Sequence, residues 1–344
     1  MKDSMGKSDN LLEAKVAIVI VNWNGKENTF ECLESVRSID YPCVEVIVVD
    51  NGSTDNSADA IRERFPEVVL LRAEKNLGTA GGRNIGARYA LKSGADFVFF
   101  LDNDAIVDSQ VIVNFLKAGD VIKRNGIFGP KIYYFSEPRK IWYAGTQWKN
   151  PGFIHLGMGD TEDGQRFNSI EETAYVCGCA MFVDRAVLEK IGIFDERFFA
   201  YFEETDFCYR AKASGFPSFF VPSAKVWHKV SASSGGEGSP FFYYFMNRNI
   251  LLWAERHLPL TDKSKLYKSM LQKLVRTILP PGIRSVTSEK PMQSRLTVAL
   301  LRKYTEACRR KYKDPKRKAT LIGFRDYLLR RFGNCPESVR SLGK

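Results

Sequence analysis

A chain of 344 residues with 44% apolar and 26% charged residues has the balance of a folded globular protein, long enough for one large or two modest domains. Its formal charge of +11 is uneven: residues 251–344 hold 23 basic and 7 acidic side chains, net +16, while the first 250 carry net −5. Basicity therefore speaks only for the tail, and no apolar run approaches the roughly 18 residues a membrane span needs.

In chain order, Val16–Val21 is a β-branched run ending in Asn22-Trp23-Asn24-Gly25, and a helix follows from Lys26 to about Ile39. Glu45–Val49 is a second buried strand ending at Asp50, and Asn51 to Asp55 supplies turn and cap chemistry for a helix through Arg64. Val68–Leu71, a helix over Gly82–Leu91 and the strand Phe97–Leu101 complete the pattern. Alternating strands and helices, with strands apolar on both faces, predict a parallel sheet covered by helices on each side. Right-handed crossovers bring the strand C-termini to one edge, where open α/β sheets bind ligands.

That edge is polar. Asn22 and Asn24 follow the first strand, Asp50 and Asn51 the second, the Gly-rich stretch Asn76 to Asn84 the third, and Asp102-Asn103-Asp104 the fourth. Capping chemistry accounts for any one of these loops as readily as function does; four together point to an active site. Neither G-x-G-x-x-G after the first strand nor G-x-x-x-x-G-K-[ST] occurs, which argues against a dinucleotide fold and a P-loop. Two carboxylates two residues apart, just past a buried strand, suit a hard divalent cation held from one side. Seven scattered cysteines, with Cys177 and Cys179 lacking a second pair, read as reduced thiols rather than a zinc site. Residues 1–15 contain no apolar signal core.

The strings Val16 to Gly25, Val48 to Asp55, Asn76 to Gly82 and Phe99 to Asp104 resemble glycosyltransferase family 2, in its rhamnosyltransferase-like subgroup. So do Val176 to Phe182, Ile193 to Tyr201, Glu203 to Arg210 and Trp227-His228, so the resemblance runs from about Val16 to Leu252. It implies a GT-A fold, α/β with a mostly parallel central sheet flanked by helices, and inverting transfer from a nucleotide sugar. Residue by residue, it implies that Asp50 meets the pyrimidine and Asn22 lies beside the nucleoside. Gly78, Arg83 and Arg248 would also contact the donor; a solvated first-turn arginine is the other reading of Arg83. Asp102 would face the ribose and the metal, and Asp104 and His228 would hold a Mg²⁺ or Mn²⁺ ion. A divalent cation answers the chemistry, since a nucleoside diphosphate leaves readily only when its developing charge is stabilised.

Inverting transfer needs a base for the acceptor hydroxyl. The matching pair is Glu203-Glu204, with Glu where the family usually has Asp; Glu204 is the expected base, with Glu203 and Asp206 as alternates. All three also fit the acidic first turn of a helix running to about Ala213. Ser231 to Gly238 has the composition of a mobile lid.

The expected organisation is a polar segment over 1–14, the catalytic domain over 15–255 and a basic helical region over 256–344. In that region, Leu266, Met270, Leu271, Leu274, Val275 and Ile278 fall on one helical stripe, with further helices at about 293–312 and 319–332. Such a tail is either a packed extension or a platform on an anionic membrane surface; no nucleic-acid motif accompanies it. The expected enzyme moves a sugar from a UDP or dTDP donor to a glycan hydroxyl, lipid-linked or free, and works in the cytoplasm or at the cytoplasmic face of a membrane. A polyprenyl-phosphate sugar synthase and a non-catalytic sugar-nucleotide-binding protein are the alternatives.

Overall fold

In the computed structural model, the β-branched run forms β1 (Val16–Asn22), and the strand–helix alternation continues through α1 (Lys26–Arg37), β2 (Val44–Asp50), α2 (Ser57–Arg64), β3 (Val69–Arg72), α3 (Gly78–Lys92) and β4 (Phe97–Asp102). The structure describes residues 13–162, 166–230, 238–278 and 313–343. The chain divides into two compact units, 1–233 and 234–344. The boundary expected at 255 thus falls earlier, because the helix Pro240–His257 packs within the second unit.

In the first unit, β3, β2, β1 and β4 lie side by side and parallel. Alternate β1 residues serve opposite faces: Val16, Ile18 and Ile20 enter one core, Ala17 and Val19 the other. Both faces are buried, which is why the strand reads as continuous apolar sequence rather than alternation. Each buried Val or Ile contributes about 1.5–3 kcal/mol.

Beyond β4 the sheet is mixed. β5 (Ala105–Val107), α4 (Val111–Ile122), β6 (Ile127–Tyr134) and β7 (Ile141–Tyr143) follow, then the hairpin β8 (Thr146–Lys149) and β9 (Gly152–His155), and β10 (Glu171–Thr173). β11 (Ala180–Asp184) inserts antiparallel between β4 and β6. α5 (Arg185–Ile191) and α6 (Glu203–Ala213) lead to β12 (Ser218–His228), which is parallel to β6 and antiparallel to β5.

α3 begins at Gly78, inside the stretch expected to be loop. The glycines explain it. A Cβ on Gly82 would stand 2.6 Å from Val21 Cγ1, and one on Gly86 would overlap Val19, so these residues let the helix lie close on β1. Only Gly78, with φ +75°, uses the left-handed region.

Among its described residues the second unit is helical: α7 (Pro240–His257), α8 (Leu260–Ile278), α9 (Pro315–Leu328) and α10 (Glu337–Arg340). Ser239 caps α7, its Oγ accepting from Phe242 N at 3.1 Å, and Pro240 takes the first helical position. α9 starts at Pro315, earlier than expected, because Asp314 caps it by accepting from Lys316 N at 2.9 Å. Gly323 admits the Tyr244 carbonyl against α9, and Tyr244 Oη donates to Asp326 Oδ2 at 2.9 Å. The expected stripe on α8 splits: Leu266 is buried, whereas Leu271 is 59% and Val275 41% exposed. The helix expected at 293–312 and the segment 231–237 of the expected lid lie outside the described residues. Among the described residues no helix is long and apolar enough to cross a membrane.

Candidate active site

The registers β1–β2 and β1–β4 set three polar strand ends abreast. Asn22 pairs with Asp50, and Val21 with Asp102. Asn22 is buried and fully engaged. Its Oδ1 accepts from Thr29 Oγ1 at 2.9 Å and Gly25 N at 3.2 Å. Its Nδ2 lies within donating distance of Asp50 Oδ1 at 3.0 Å, Ser53 Oγ at 3.1 Å and Ser57 Oγ at 2.7 Å. Asn22 therefore orients Asp50 and its loop. Asp50, with its other oxygen accepting from Ser53 N at 3.3 Å, lines a cleft of about 480 Å³ between the ends of β2 and β3. That volume is within the roughly 300–1,000 Å³ range of small-molecule pockets.

A buried arginine joins this edge to an acidic pair. Arg83, 2% exposed, donates through Nη2 to Asp102 Oδ1 at 2.8 Å and to the Gly178 carbonyl at 2.6 Å, and through Nη1 to Glu203 Oε1 at 3.2 Å. A Cβ at Gly178 would stand 3.0 Å from the guanidinium, so the Cys177-Gly178-Cys179 turn leaves room for it. Burial works against the charge on Arg83, but Asp102, Glu203 and Glu204 overcome it and hold the guanidinium protonated. Glu203 is pushed well above the usual carboxylate range by burial and by the neighbouring Glu204, against the pull of Arg83. Burial also raises Glu204, whose Oε2 is buried without a hydrogen-bond partner. Asp206, fully buried, accepts from Arg210 Nε at 2.8 Å and belongs to the helix's own packing.

Backbone strain positions this pair. Phe199, Tyr201 and Phe202 have φ of +66°, +64° and +73°, and Phe202 is the residue before α6. Each costs an L-residue about 1–2 kcal/mol. The Phe199 carbonyl accepts from Ala80 N at 3.3 Å and lies against Gly78, where a Cβ would collide with it. Gly78 thus seats the elbow that delivers Glu203 and Glu204.

Asp104 and His228 meet at the other end of the edge, Asp104 Oδ1 lying 3.1 Å from His228 Nε2. The last residue of β12 pairs with Ala105 of β5, which brings the histidine across. Burial lowers the His228 pKa, but the hydrogen bond and charge of Asp104 outweigh it and the net shift is upward. Ligand atoms of Asp102, Cys179 and His228 lie within 4.8 Å of one another. His228 Nδ1 is buried and has no hydrogen-bond partner. The carboxylate donors fit Mg²⁺ or Mn²⁺, and an imidazole beside them favours the softer Mn²⁺. Burial holds the Cys179 thiol well above its ordinary pKa.

Residues 17–192 match the family model described as Glycosyl transferase family 2. The chain belongs to glycosyl transferase family 2. It is 28% identical over 236 residues to the N-acetylglucosaminyl-diphospho-decaprenol L-rhamnosyltransferase of Mycobacterium tuberculosis, covering 62% of this chain and 76% of that one. It is 25% identical over 260 residues to the dTDP-rhamnosyl transferase RfbF of Shigella flexneri, covering 72% and 83%. Among solved structures, a mannosyltransferase of Pyrobaculum calidifontis in complex with GDP-Man and Mn²⁺ superposes with a TM-score of 0.54 at 16% identity, over 92% of this chain and 88% of that one. S. aureus TarS gives 0.51 at 16% identity, over 96% of this chain and 55% of TarS. The fold is GT-A.

Within this family 2 chain, the first unit brings Asn22, Asp50, Gly78, Arg83, Asp102, Asp104, Glu203, Glu204 and His228 to one edge or its immediate support. Arg83 is not a solvated first-turn residue, and its guanidinium is engaged by carboxylates. Arg248 lies in the second unit, where it donates to Asn249 Oδ1 at 2.8 Å and the Gly333 carbonyl at 2.7 Å and packs on the Tyr244 and Phe245 rings. Sequence reasoning missed Cys179 as a neighbour of the Asp102 and His228 ligand atoms. Its only signal was its place just before the strand β11, where its carbonyl accepts from Asp102 N at 2.9 Å.

Proposed function

We propose that the chain is an inverting, Mg²⁺- or Mn²⁺-dependent glycosyltransferase that moves a sugar from a UDP or dTDP donor to a hydroxyl of a lipid-linked glycan. One observation carries the reading: a single buried guanidinium ties Asp102, at the donor edge, to Glu203, beside the expected base. Donor and base machinery are thereby built as one unit. The names of two relatives, one with a dTDP-rhamnosyl donor and one with a diphospho-decaprenol acceptor, favour a dTDP-deoxyhexose and a polyprenyl acceptor.

Asp50, fixed by Asn22, hydrogen-bonds the base in the cleft. Asp102, Asp104 and His228 would hold the cation, which supplies charge neutralisation for the departing diphosphate. Glu204 takes the proton of the acceptor hydroxyl as its oxygen bonds the anomeric carbon and the bond to the diphosphate oxygen breaks. Burial raises its pKa above the ordinary glutamate range, and the neighbouring Glu203 is tied to Arg83. Leu271 and Val275, exposed on the basic helix α8, fit a chain held at the cytoplasmic face of an anionic membrane.

The test measures dTDP or UDP release by the purified chain with Mn²⁺, with and without a polyprenyl-diphosphate-linked sugar acceptor. Acceptor-dependent release, lost in Asp104→Ala with the fold intact, is expected. Unchanged turnover after chelation would overturn metal dependence. A product carrying the sugar on a lipid phosphate would instead favour a polyprenyl-phosphate sugar synthase.

A further inference from the structure

A polar pair stands inside an aromatic cluster of the first unit, and the chemistry above gives it no task. His155, the last residue of β9, lies with Nε2 2.7 Å from the Tyr175 hydroxyl. Trp142 and Tyr143 of β7 hold their rings nearly perpendicular to the imidazole, at centroid distances of 6.2 and 5.7 Å. Those two residues and Tyr175 are buried, whereas His155 is half-buried. One hydrogen bond and edge-to-face packing therefore fix the imidazole, and part of its surface still meets solvent.

Its neighbours place it between the cation ligands and the base. On one side, the Trp142 ring lies 4.9 Å from the ring of His228. On the other, the segment that carries Tyr175 runs along α6. Val176 N donates to Cys208 Sγ at 3.5 Å, and Cys208 is one helical turn beyond Glu204 on the same face. The Glu204 charge accordingly joins burial in raising the Tyr175 hydroxyl. Packing alone does not call for a histidine here, because burying polar atoms among aromatic rings carries a desolvation cost that an apolar side chain avoids. Burial lowers the His155 pKa, so the ring is neutral and offers one donor and one acceptor. Tyr175 engages Nε2, which leaves Nδ1 for a second hydrogen bond. An uncharged, oriented polar atom framed by aromatic rings suits a sugar hydroxyl rather than a phosphate.

We infer that His155 binds the acceptor: its Nδ1 hydrogen-bonds a hydroxyl of the acceptor sugar beside the one that Glu204 deprotonates, and Tyr175 positions its ring. The inference rests on the transferase reading proposed above and adds to it the residue that recognises the acceptor sugar.

The experiment measures initial rates of nucleotide release by the full chain with Mn²⁺, a dTDP-deoxyhexose donor and a polyprenyl-diphosphate-linked sugar acceptor, varying each substrate in turn. His155→Phe keeps a ring for the packing and removes both nitrogens; circular dichroism and the melting temperature check its fold. Its acceptor KM should rise about tenfold, the worth of one good hydrogen bond, while its donor KM stays within about twofold. His155→Gln, which keeps a donor and an acceptor, should lie between wild type and His155→Phe. Tyr175→Phe removes only the hydroxyl that fixes the imidazole, and its acceptor KM should rise about threefold with the donor KM again unmoved. It decides the question should His155→Phe not fold. A folded His155→Phe with an unchanged acceptor KM, or with both KM values raised alike, would overturn the inference and leave the transferase reading standing. An unchanged acceptor KM in Tyr175→Phe, where His155→Phe does not fold, would do the same. A wild type that releases no nucleotide when acceptor is added would instead overturn the transferase reading, and the role of His155 with it.

Discussion

Arg83→Met should be the most informative substitution in the first unit. It removes the donor from Glu203 Oε1, Asp102 Oδ1 and the Gly178 carbonyl together, and it does so where Glu203 is only 4% exposed. Removing one partner of a buried ion pair costs about 3–5 kcal/mol, because the remaining charge stays buried without compensation. The size of that cost must depend on pH. Burial already pushes Glu203 up, and without Arg83 it rises further, so the folded variant binds a proton that the unfolded chain does not. A carboxyl whose folded pKa is raised loses stability as pH climbs through that pKa. Urea unfolding of wild type and variant should therefore differ by about 3–5 kcal/mol near pH 8. Near pH 5.5 the gap should be smaller, because the variant's Glu203 is then more fully protonated. Adding Glu203→Leu to Arg83→Met should cost less than the sum of the single changes by about 1–3 kcal/mol. A gap below about 1 kcal/mol, or one that does not change with pH, would refute the claim that Arg83 neutralises a buried acidic pair.

Glu204→Gln should lower kcat by about 10²-fold or more while the donor KM stays within a few-fold, as expected of a base that acts only in the transition state. In the wild type, kcat should fall on the acid side at a pH above the ordinary glutamate value of about 4.3, because burial raises Glu204 and the base must be deprotonated. If Glu203→Gln shows the kcat loss and Glu204→Gln does not, the two glutamates exchange roles. Gly78→Ala should destabilise the chain by about 1–3 kcal/mol and lower kcat more than it raises the donor KM, since the new methyl meets the Phe199 carbonyl and shifts the elbow before α6. A stability loss with kcat intact would show that the elbow does not set the position of Glu204.

The first four strands were legible because each is a short β-branched or aromatic run ended by a polar residue, and those endings also marked the site. What escaped depends on partners far along the chain. Arg83 and Glu203 are 120 residues apart, and nothing near either one announces the pairing. Asn22 reads as a ligand contact, yet five neighbours satisfy its amide and make it a support for Asp50. The glycines of α3 read as a loop because glycine disfavours helix, but close contact with Val19 and Val21 overrides propensity. The antiparallel entry of β11 between β4 and β6 is a long-range pairing that the apolar run Ala174–Val183 does not encode locally. Arg248 fits a family motif as a string, but its guanidinium is engaged by the Gly333 carbonyl and the rings around it.

The most direct test of the central claim is the anomeric configuration of the product, read by NMR after transfer from a nucleotide sugar of defined configuration with Mn²⁺ present. A single displacement assisted by one base, Glu204, predicts that the configuration at the anomeric carbon is opposite to the donor's, in a product formed only when the acceptor is supplied. A product that keeps the donor's configuration would contradict the single-displacement account and with it the role assigned to Glu204.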